Sequence, residues 1–194
     1  MRLTADQRKS QLMEVARTVF AERGYSPTSM DDIAAAAGIT KPVLYQHFRS
    51  KRALYREILA AVGDEMIRAL ESSTAKAHGG RARVEAGFAS YFRWVEASPS
   101  AFRILFGASV RNDPEFAATI DAVLERATTA IAELIEINAS GNQRRALAHA
   151  LIGMTESVSR NDLVQANDRE NSSAEDLAKW LAELAWFGLR GVRS

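Results

Sequence analysis

The densest set of groups able to do chemistry lies in one short stretch, Lys41-Pro42-Val43-Leu44-Tyr45-Gln46-His47-Phe48. At about 100° per residue, Leu44 and Phe48 fall about 40° apart on a helix and must both face a core. Pro42, Val43 and Gln46 then take the opposite side, Tyr45 and His47 flank it, and Lys41 stands at the helix start. This outward face combines an apolar body with hydrogen-bonding edges and contains no acid. It suits the major groove of DNA. Gln can pair bidentately with adenine, Val and Pro can touch a thymine methyl, and Tyr, His and Lys can reach phosphates. The helix opened by Thr28 and Ser29 adds backbone N–H groups of the kind that bind phosphate, and Lys51 adds a cation. Each residue also has a plainer role. Tyr45 can pack, His47 can be a solvated imidazole, Lys51 and Arg52 can be surface residues, and Thr28, Ser29, Thr40 and Ser50 can be helix caps.

Other chemistry finds little support. There are no cysteines, so disulfides, thiolate zinc sites, Fe–S clusters and a Cys nucleophile are excluded. The three histidines, His47, His78 and His149, are far apart and show no His-x-x-x-His spacing. His149 and Glu156 share a helix face and define an enzymatic alternative, a helical hydrolase or transferase. That alternative has no nucleophile motif, no Gly-rich phosphate loop and no metal set. Glu156 also lies four residues before Arg160, the spacing of a surface ion pair. No cofactor is expected.

The chain has 194 residues, enough for one domain or two small ones sharing an element. Its formal net charge is +1, but the charge is unevenly spread. Residues 1–55 carry nine basic and five acidic side chains, the remainder 16 and 19. A basic first quarter on an acidic body suggests that only the first part meets a polyanion. No run approaches the ~18–20 apolar residues of a transmembrane helix, and the N-terminus lacks the apolar stretch of a signal peptide, so a cytoplasmic protein is expected. A third possibility is an interaction protein without sequence specificity that uses the basic segment at a membrane surface. The Pro42-Val43-Gln46 face argues against it, since such a patch needs more cations and bulky exposed apolar residues.

Holding these groups in place requires helices. Strand-type alternation is almost absent and proline occurs four times. The chain reads as all-α with about nine helices. Thr4 and Gln7 form a capping box for the first, whose apolar face is Leu12, Ala16, Val19 and Phe20 and which Gly24 ends. The second follows Thr28-Ser29, buries Ile33, Ala34 and Ala37, and ends at Gly38. Ile39 must be buried in the turn, Thr40 caps the third helix, and Pro42 is tolerated in its first turn. Helices two and three with this turn make a helix-turn-helix. Ser50 caps a long fourth helix with Leu54, Ile58, Ala61, Met66 and Leu70 inward. A hinge at His78-Gly79-Gly80 precedes the fifth helix. A short sixth helix, a seventh from Asp113-Pro114, an eighth from about Gln143 to Ala166, a polar loop over Asn167–Ser173 and a ninth helix from about Ala174 to Arg190 complete the chain.

The stretch from Phe20 to Leu54 resembles the N-terminal domain of the TetR family of bacterial transcriptional regulators. The resemblance rests on Ile33-Ala34 before Ala37-Gly38, then Leu44-Tyr45-x-His47-Phe48, then Lys51 before Leu54. It covers about a quarter of the chain strongly; the rest is similar in architecture and in the ending Trp186-Phe187-Gly188-Leu189-Arg190-Gly191. It implies a helix-turn-helix DNA-binding domain over 1–52 and a ligand-binding and dimerisation domain over 53–194, joined by the long fourth helix. It further implies that Lys41, Pro42, Val43, Tyr45, His47, Lys51 and the segment Thr28–Met30, Ser29 included, meet DNA. Gln46, where the family varies, enters on the helical wheel, and Thr40 joins the set at the turn. The function implied is a ligand-responsive homodimeric repressor on a palindromic operator.

The family dimerises through its last two long helices. Here the ninth helix carries Leu177, Trp180, Leu181, Leu184, Trp186, Phe187 and Leu189, apolar on more than one face, so it must be covered on two sides. Gly153, in mid-helix, fits either close approach of a partner helix or ordinary packing. The candidate interface is Gly153, Trp180, Leu184 and Phe187. Where many members have aromatic residues near Arg160, this chain has Asn161-Asp162. Phe88, Tyr91, Phe92, Phe102, Phe106, Leu124 and Met154 are the candidate ligand lining, suited to a small apolar or aromatic effector. The same stripe can equally be core.

Overall fold

The computed structural model describes residues 4–107, 113–165 and 172–191, with side chains described over 4–107, 113–161 and 172–188. Among these residues the chain is all-α, with nine helices and no strand. They are α1 (Ala5–Arg23), α2 (Met30–Ala36), α3 (Lys41–His47), α4 (Lys51–Thr74), α5 (Gly80–Ala97), α6 (Pro99–Phe106), α7 (Pro114–Leu134), α8 (Gly141–Gln165) and α9 (Ala174–Gly191). The chain divides into two compact units, Met1–Gly63 with Ser100–Asp121, and Asp64–Pro99 with Ala122–Ser194. Helices α4 and α7 each run from one unit into the other.

The first unit is built by local signals that agree with its core. Thr4 and Gln7 form the capping box of α1, and Gly24, at φ +81°, ends it. Ser29 and Asp32 form a second capping box at α2; such a cap contributes about 1 kcal/mol. The end of α2 is a Schellman motif. The Gly38 N–H donates to the Ala35 carbonyl and the Ile39 N–H to that of Ala34, while Gly38 takes the left-handed conformation, φ +65°. Leu12, Ala16, Phe20, Ile33, Leu44, Phe48, Leu54 and Ile58 close the core.

Around it sits an aromatic cluster. Tyr55 lies 4.9 Å edge-on to Phe20, 4.8 Å from Tyr25 and 4.9 Å from Phe116 of α7. The Tyr55 hydroxyl donates to the Ile104 carbonyl of α6 at 3.5 Å. Burial pushes the Tyr55 hydroxyl pKa far up, so it stays a neutral donor. Thus α6 and the start of α7 belong to the same compact body as the helix-turn-helix.

The second unit centres on α5 and α9. Phe88, Phe92, Leu177, Ala178, Leu181, Ala182 and Ala185 form a buried cluster, with Val84, Tyr91, Leu151, Met154 and Val158 against it. On α9, Leu177, Ala178, Leu181, Ala182 and Ala185 face this cluster while Trp180, Leu184 and Phe187 are exposed, which gives the helix two apolar faces.

Several expectations need correction. Ile39 is half-buried rather than buried, since the Schellman bonds already close the turn. Thr40 occupies the cap position of α3 in extended backbone, but its hydroxyl makes no capping bond. Ala61 is exposed; α4 instead buries Tyr55, Leu59, Val62 and Ile67. The end expected for α8 at Ala166 and most of the loop after it lie outside the described residues.

Candidate DNA-binding interface and effector region

On α3 the helical wheel and the structure agree in the main. Leu44 and Phe48 are almost fully buried, at 0% and 1% exposure. Lys41, Pro42, Tyr45 and Gln46 are exposed, and Val43 and His47 are half-buried. Tyr45 is 44% exposed, so it does not pack into the core. Thr40 is exposed as well, at the start of the same face. Lys41 reaches back to α2, its ammonium 2.8 Å from Asp31 Oδ2, and this pairing raises its pKa. The pair links the start of α3 to α2 while leaving Lys41 solvent-exposed.

The segment before α2 is placed differently from expectation. Thr28 is buried, and its hydroxyl donates to the Gly24 carbonyl at 2.7 Å. Met30 is buried too. The Ser29 hydroxyl and the Ser29 N–H both donate to Asp32 Oδ2, at 2.5 and 2.8 Å, and hold the Asp32 carboxyl below the usual carboxylate range. Neither the Thr28 nor the Met30 side chain presents a group to a ligand.

Lys51 is bonded within the chain. Its ammonium donates to three backbone carbonyls, those of Tyr25 at 3.0 Å, Ser26 at 3.2 Å and Thr28 at 2.7 Å. It also sits 4.4 Å above the Tyr25 ring. Partial burial lowers its pKa. A lysine ammonium has three donors, and all three are used within the chain. Spacing could not reveal this, because the carbonyls belong to a loop more than twenty residues away.

Next to it, the Arg52 guanidinium holds Asp113 and Glu115 at the start of α7, and Arg56 reaches Glu115 at 3.0 Å. From the sequence, Arg52 is expected only as a surface residue at a helix start. Nothing in the local pattern signals a partner 61 residues away.

The expected effector lining is divided. Phe88, Tyr91, Phe92 and Met154 meet in the cluster of the second unit. Phe102 and Phe106 pack against each other in the first unit, ring centroids 5.0 Å apart. Leu124 is half-buried on α7. Apolar periodicity alone cannot tell which body an apolar residue joins. Burial keeps the Tyr91 hydroxyl protonated, its pKa pushed far up, beside Ser159 and Thr155 of α8.

On α9, Trp180, Leu184 and Phe187 are 52%, 62% and 66% exposed and make one stripe at i, i+4, i+7. Gly153 on α8 is exposed, and a Cβ added there would meet nothing within 4 Å. It is therefore not a packing glycine within this chain. His149 is exposed, its Nδ1 3.5 Å from the Thr128 hydroxyl, and Glu156 pairs with Arg160 at 2.6 Å. Among the described residues no cluster has the makings of a metal site, and no helix is long and apolar enough to cross a membrane.

A helix-turn-helix with its outer face free, carried by an all-α chain of this order, defines a class of DNA-binding regulators. The comparisons agree. Residues 12–58 match the family model for bacterial regulatory proteins of the tetR family, and residues 81–188 the tetracyclin repressor-like C-terminal domain. The transcriptional activator FasR of Mycolicibacterium smegmatis is 31% identical over 193 residues, spanning 98% of this chain and 87% of that protein. The crystal structure of a TetR-like transcriptional regulator from Rhodococcus sp. RHA1 superposes with a TM-score of 0.80 at 28% identity, covering 98% of this chain and all of that one. The regulator FadR from Bacillus subtilis, solved in complex with stearoyl-CoA, shares the fold at a TM-score of 0.80 and 14% identity, over 95% and 99% of the two chains. The chain belongs to the TetR family. It is a helix-turn-helix DNA-binding transcriptional regulator and not an enzyme.

Proposed function

We propose that the protein acts in the cytoplasm as a homodimeric, effector-responsive repressor that places two copies of α3 in successive major grooves of a palindromic operator. The observation that carries this reading is the outer face of α3. Pro42, Tyr45 and Gln46 are exposed with Val43 beside them, while Leu44 and Phe48 anchor the helix in the core. Val43 and Gln46 read base edges, Pro42 and Thr40 lie against the duplex, and Lys41, Tyr45 and His47 meet phosphates. The α2 segment contributes through the backbone around Ser29. Functionally, residues 1–52 read DNA and 53–194 carry effector binding and dimerisation.

The dimer reading is supported by the Trp180, Leu184 and Phe187 stripe, since exposed large apolar side chains at helical spacing are what a symmetric helix–helix interface uses. Gly153 on α8 leaves room for a partner's approach. The effector reading is supported by the cluster around Phe88, Tyr91, Phe92 and Met154, where a hydroxyl stands among aromatic rings. An apolar chain with a polar head fits that chemistry, and the FadR neighbour was solved with such a molecule, stearoyl-CoA. Release follows if the effector prefers the non-binding conformation by a few kcal/mol.

The test is selection of binding sites from random duplexes, followed by mobility shift of the recovered duplex with and without an acyl-CoA series. A palindrome with half-sites ~34–36 Å apart, or slightly more, supports the reading. Binding without sequence preference removes it. A second reading, activation, is favoured by the name of the FasR relative. Transcription from the selected site, with and without the protein, separates the two.

A further inference from the structure

We infer that Lys51 is a positioning residue for DNA binding, holding the α1–α2 loop and through it the start of α2, and that it does not contact a phosphate. The loop from Gly24 to Thr28 joins α1 to α2 in a few residues, and Pro27 within it has no N–H to give. Its carbonyls converge instead on two donors. The Thr28 hydroxyl takes that of Gly24, and the Lys51 ammonium takes those of Tyr25, Ser26 and Thr28 at 2.7 to 3.2 Å. The Tyr25 ring closes the fourth side, 4.4 Å from the charge.

Immediately after this cage comes the Ser29–Asp32 capping box that begins α2. Asp31 of that first turn holds Lys41, the first residue of α3. Lys51 is therefore linked by consecutive polar contacts to the start of the recognition helix. To meet a phosphate it would have to release carbonyls that have no other donor among the bonds described, in a part-buried place where an unpaired carbonyl is costly. Arginine cannot substitute. Its planar fork suits a carboxylate or phosphate, whereas three converging carbonyls fit a compact ammonium.

The experiment uses the full chain, the duplex recovered by selection with the wild-type protein and a random duplex of equal length. Affinity is measured across a salt series for wild type, Lys51→Met and Lys51→Arg, together with thermal midpoints and amide exchange over Gly24–Asp32. Both variants should lose affinity for the selected duplex by about tenfold, the scale of a few lost hydrogen bonds. For both, the slope of log affinity against log salt should stay at the wild-type value, and exchange should quicken in Gly24–Asp32 with the thermal midpoint little changed. Lys51→Arg keeps the charge, so a phosphate contact would leave its affinity intact. Either that retention or a loss of ~0.9 in slope for Lys51→Met overturns the inference. So does unchanged affinity in both variants. A loss that tracks the thermal midpoint and disappears well below it would make Lys51 a general stability residue and also overturns it. If Lys51→Met does not fold, Lys51→Arg alone decides between the cage and the phosphate.

Discussion

Arg52, one residue into α4, grips Asp113 end-to-end: its two guanidinium nitrogens lie 3.1 and 2.8 Å from the two carboxylate oxygens of the residue that caps α7. The same Arg52 reaches Glu115 at 2.9 Å and lies over the Phe116 ring at 5.1 Å. This fork-on-fork geometry is the strong form of an ion pair. It ties the start of α4 to the start of α7 inside the first unit.

The pairing predicts a pH signature. Arg52, with help from backbone N–H groups, lowers the Asp113 pKa in the folded chain. A carboxylate so lowered contributes stability that is fully present above its unfolded pKa, about 3.9, and is lost as pH falls through the folded value. Thermal stability should fall on acidification below about pH 4 more steeply in wild type than in Asp113→Asn. Asp32, lowered by Ser29, acts in the same direction and remains in both proteins. In a double-mutant cycle, Arg52→Ala and Asp113→Ala should be non-additive, with the coupling reduced in about 0.5 M salt. A cycle that is additive at low salt would make the pair irrelevant.

The residues of α3 should separate into two groups. Val43→Ala and Gln46→Ala should relax base preference, by about 1–3 kcal/mol for a bidentate contact and less for a methyl contact. Tyr45→Phe and His47→Ala should weaken all sequences alike. Leu44→Ala should act on folding instead, at about 2–5 kcal/mol, because Leu44 is fully buried. Selection of sites with each variant and urea melts of the free proteins check this. An unchanged motif for both Val43→Ala and Gln46→Ala would remove the outward face as the reader.

Two faces of α9 should behave differently. Leu184→Glu or Trp180→Arg should leave a folded monomer, since both side chains are exposed within one chain. Leu181→Ala should destabilise by about 2–5 kcal/mol, because Leu181 is in the cluster with Phe88 and Phe92. Light scattering at micromolar concentration, with thermal melts, reads both. Wild-type protein that is monomeric there would contradict the dimer.

If the effector occupies the α5–α8–α9 region, stearoyl-CoA at a hundredfold excess over its Kd should stabilise the chain by about 2.7 kcal/mol. Phe92→Ala should reduce that shift, while Phe102→Ala, in the other unit, should lower the starting stability and leave the shift in place. A shift unaffected by Phe92→Ala would put the ligand elsewhere.

The elements themselves were legible because their signals are local. Thr4 with Gln7 and Asp113-Pro114 mark helix starts, Gly24 and Gly38 mark ends, and each acts within a few residues. The α3 face was legible for the same reason: one wheel places Leu44 and Phe48 inside and leaves Gln46 outside. What stayed hidden was long-range. The role of Lys51 depends on carbonyls of the α1–α2 loop, and Arg52 depends on a carboxylate at residue 113. Phe102 and Phe88 look alike in hydropathy, and only the way α6 returns to the first unit separates them. Thr40 shows the converse error, a residue of the right type at the right place whose hydroxyl makes no cap.

The interleaving of the two units has a consequence for how the protein comes into being. The recognition helix is complete by His47, yet the body that supports it closes only with Ser100–Asp121. On the ribosome, the DNA-reading segment therefore emerges with its aromatic cluster lacking Phe116 and with Arg52 facing no carboxylate, while α5 is being made in between. Synthesis must pass residue 116 before Tyr55 meets all of its ring neighbours. A nascent or truncated product ending near residue 63 would carry all of α3 and the Leu12–Ile58 core beneath it, but not the Phe116 ring beside Tyr55 or the Asp113 and Glu115 carboxylates that Arg52 holds.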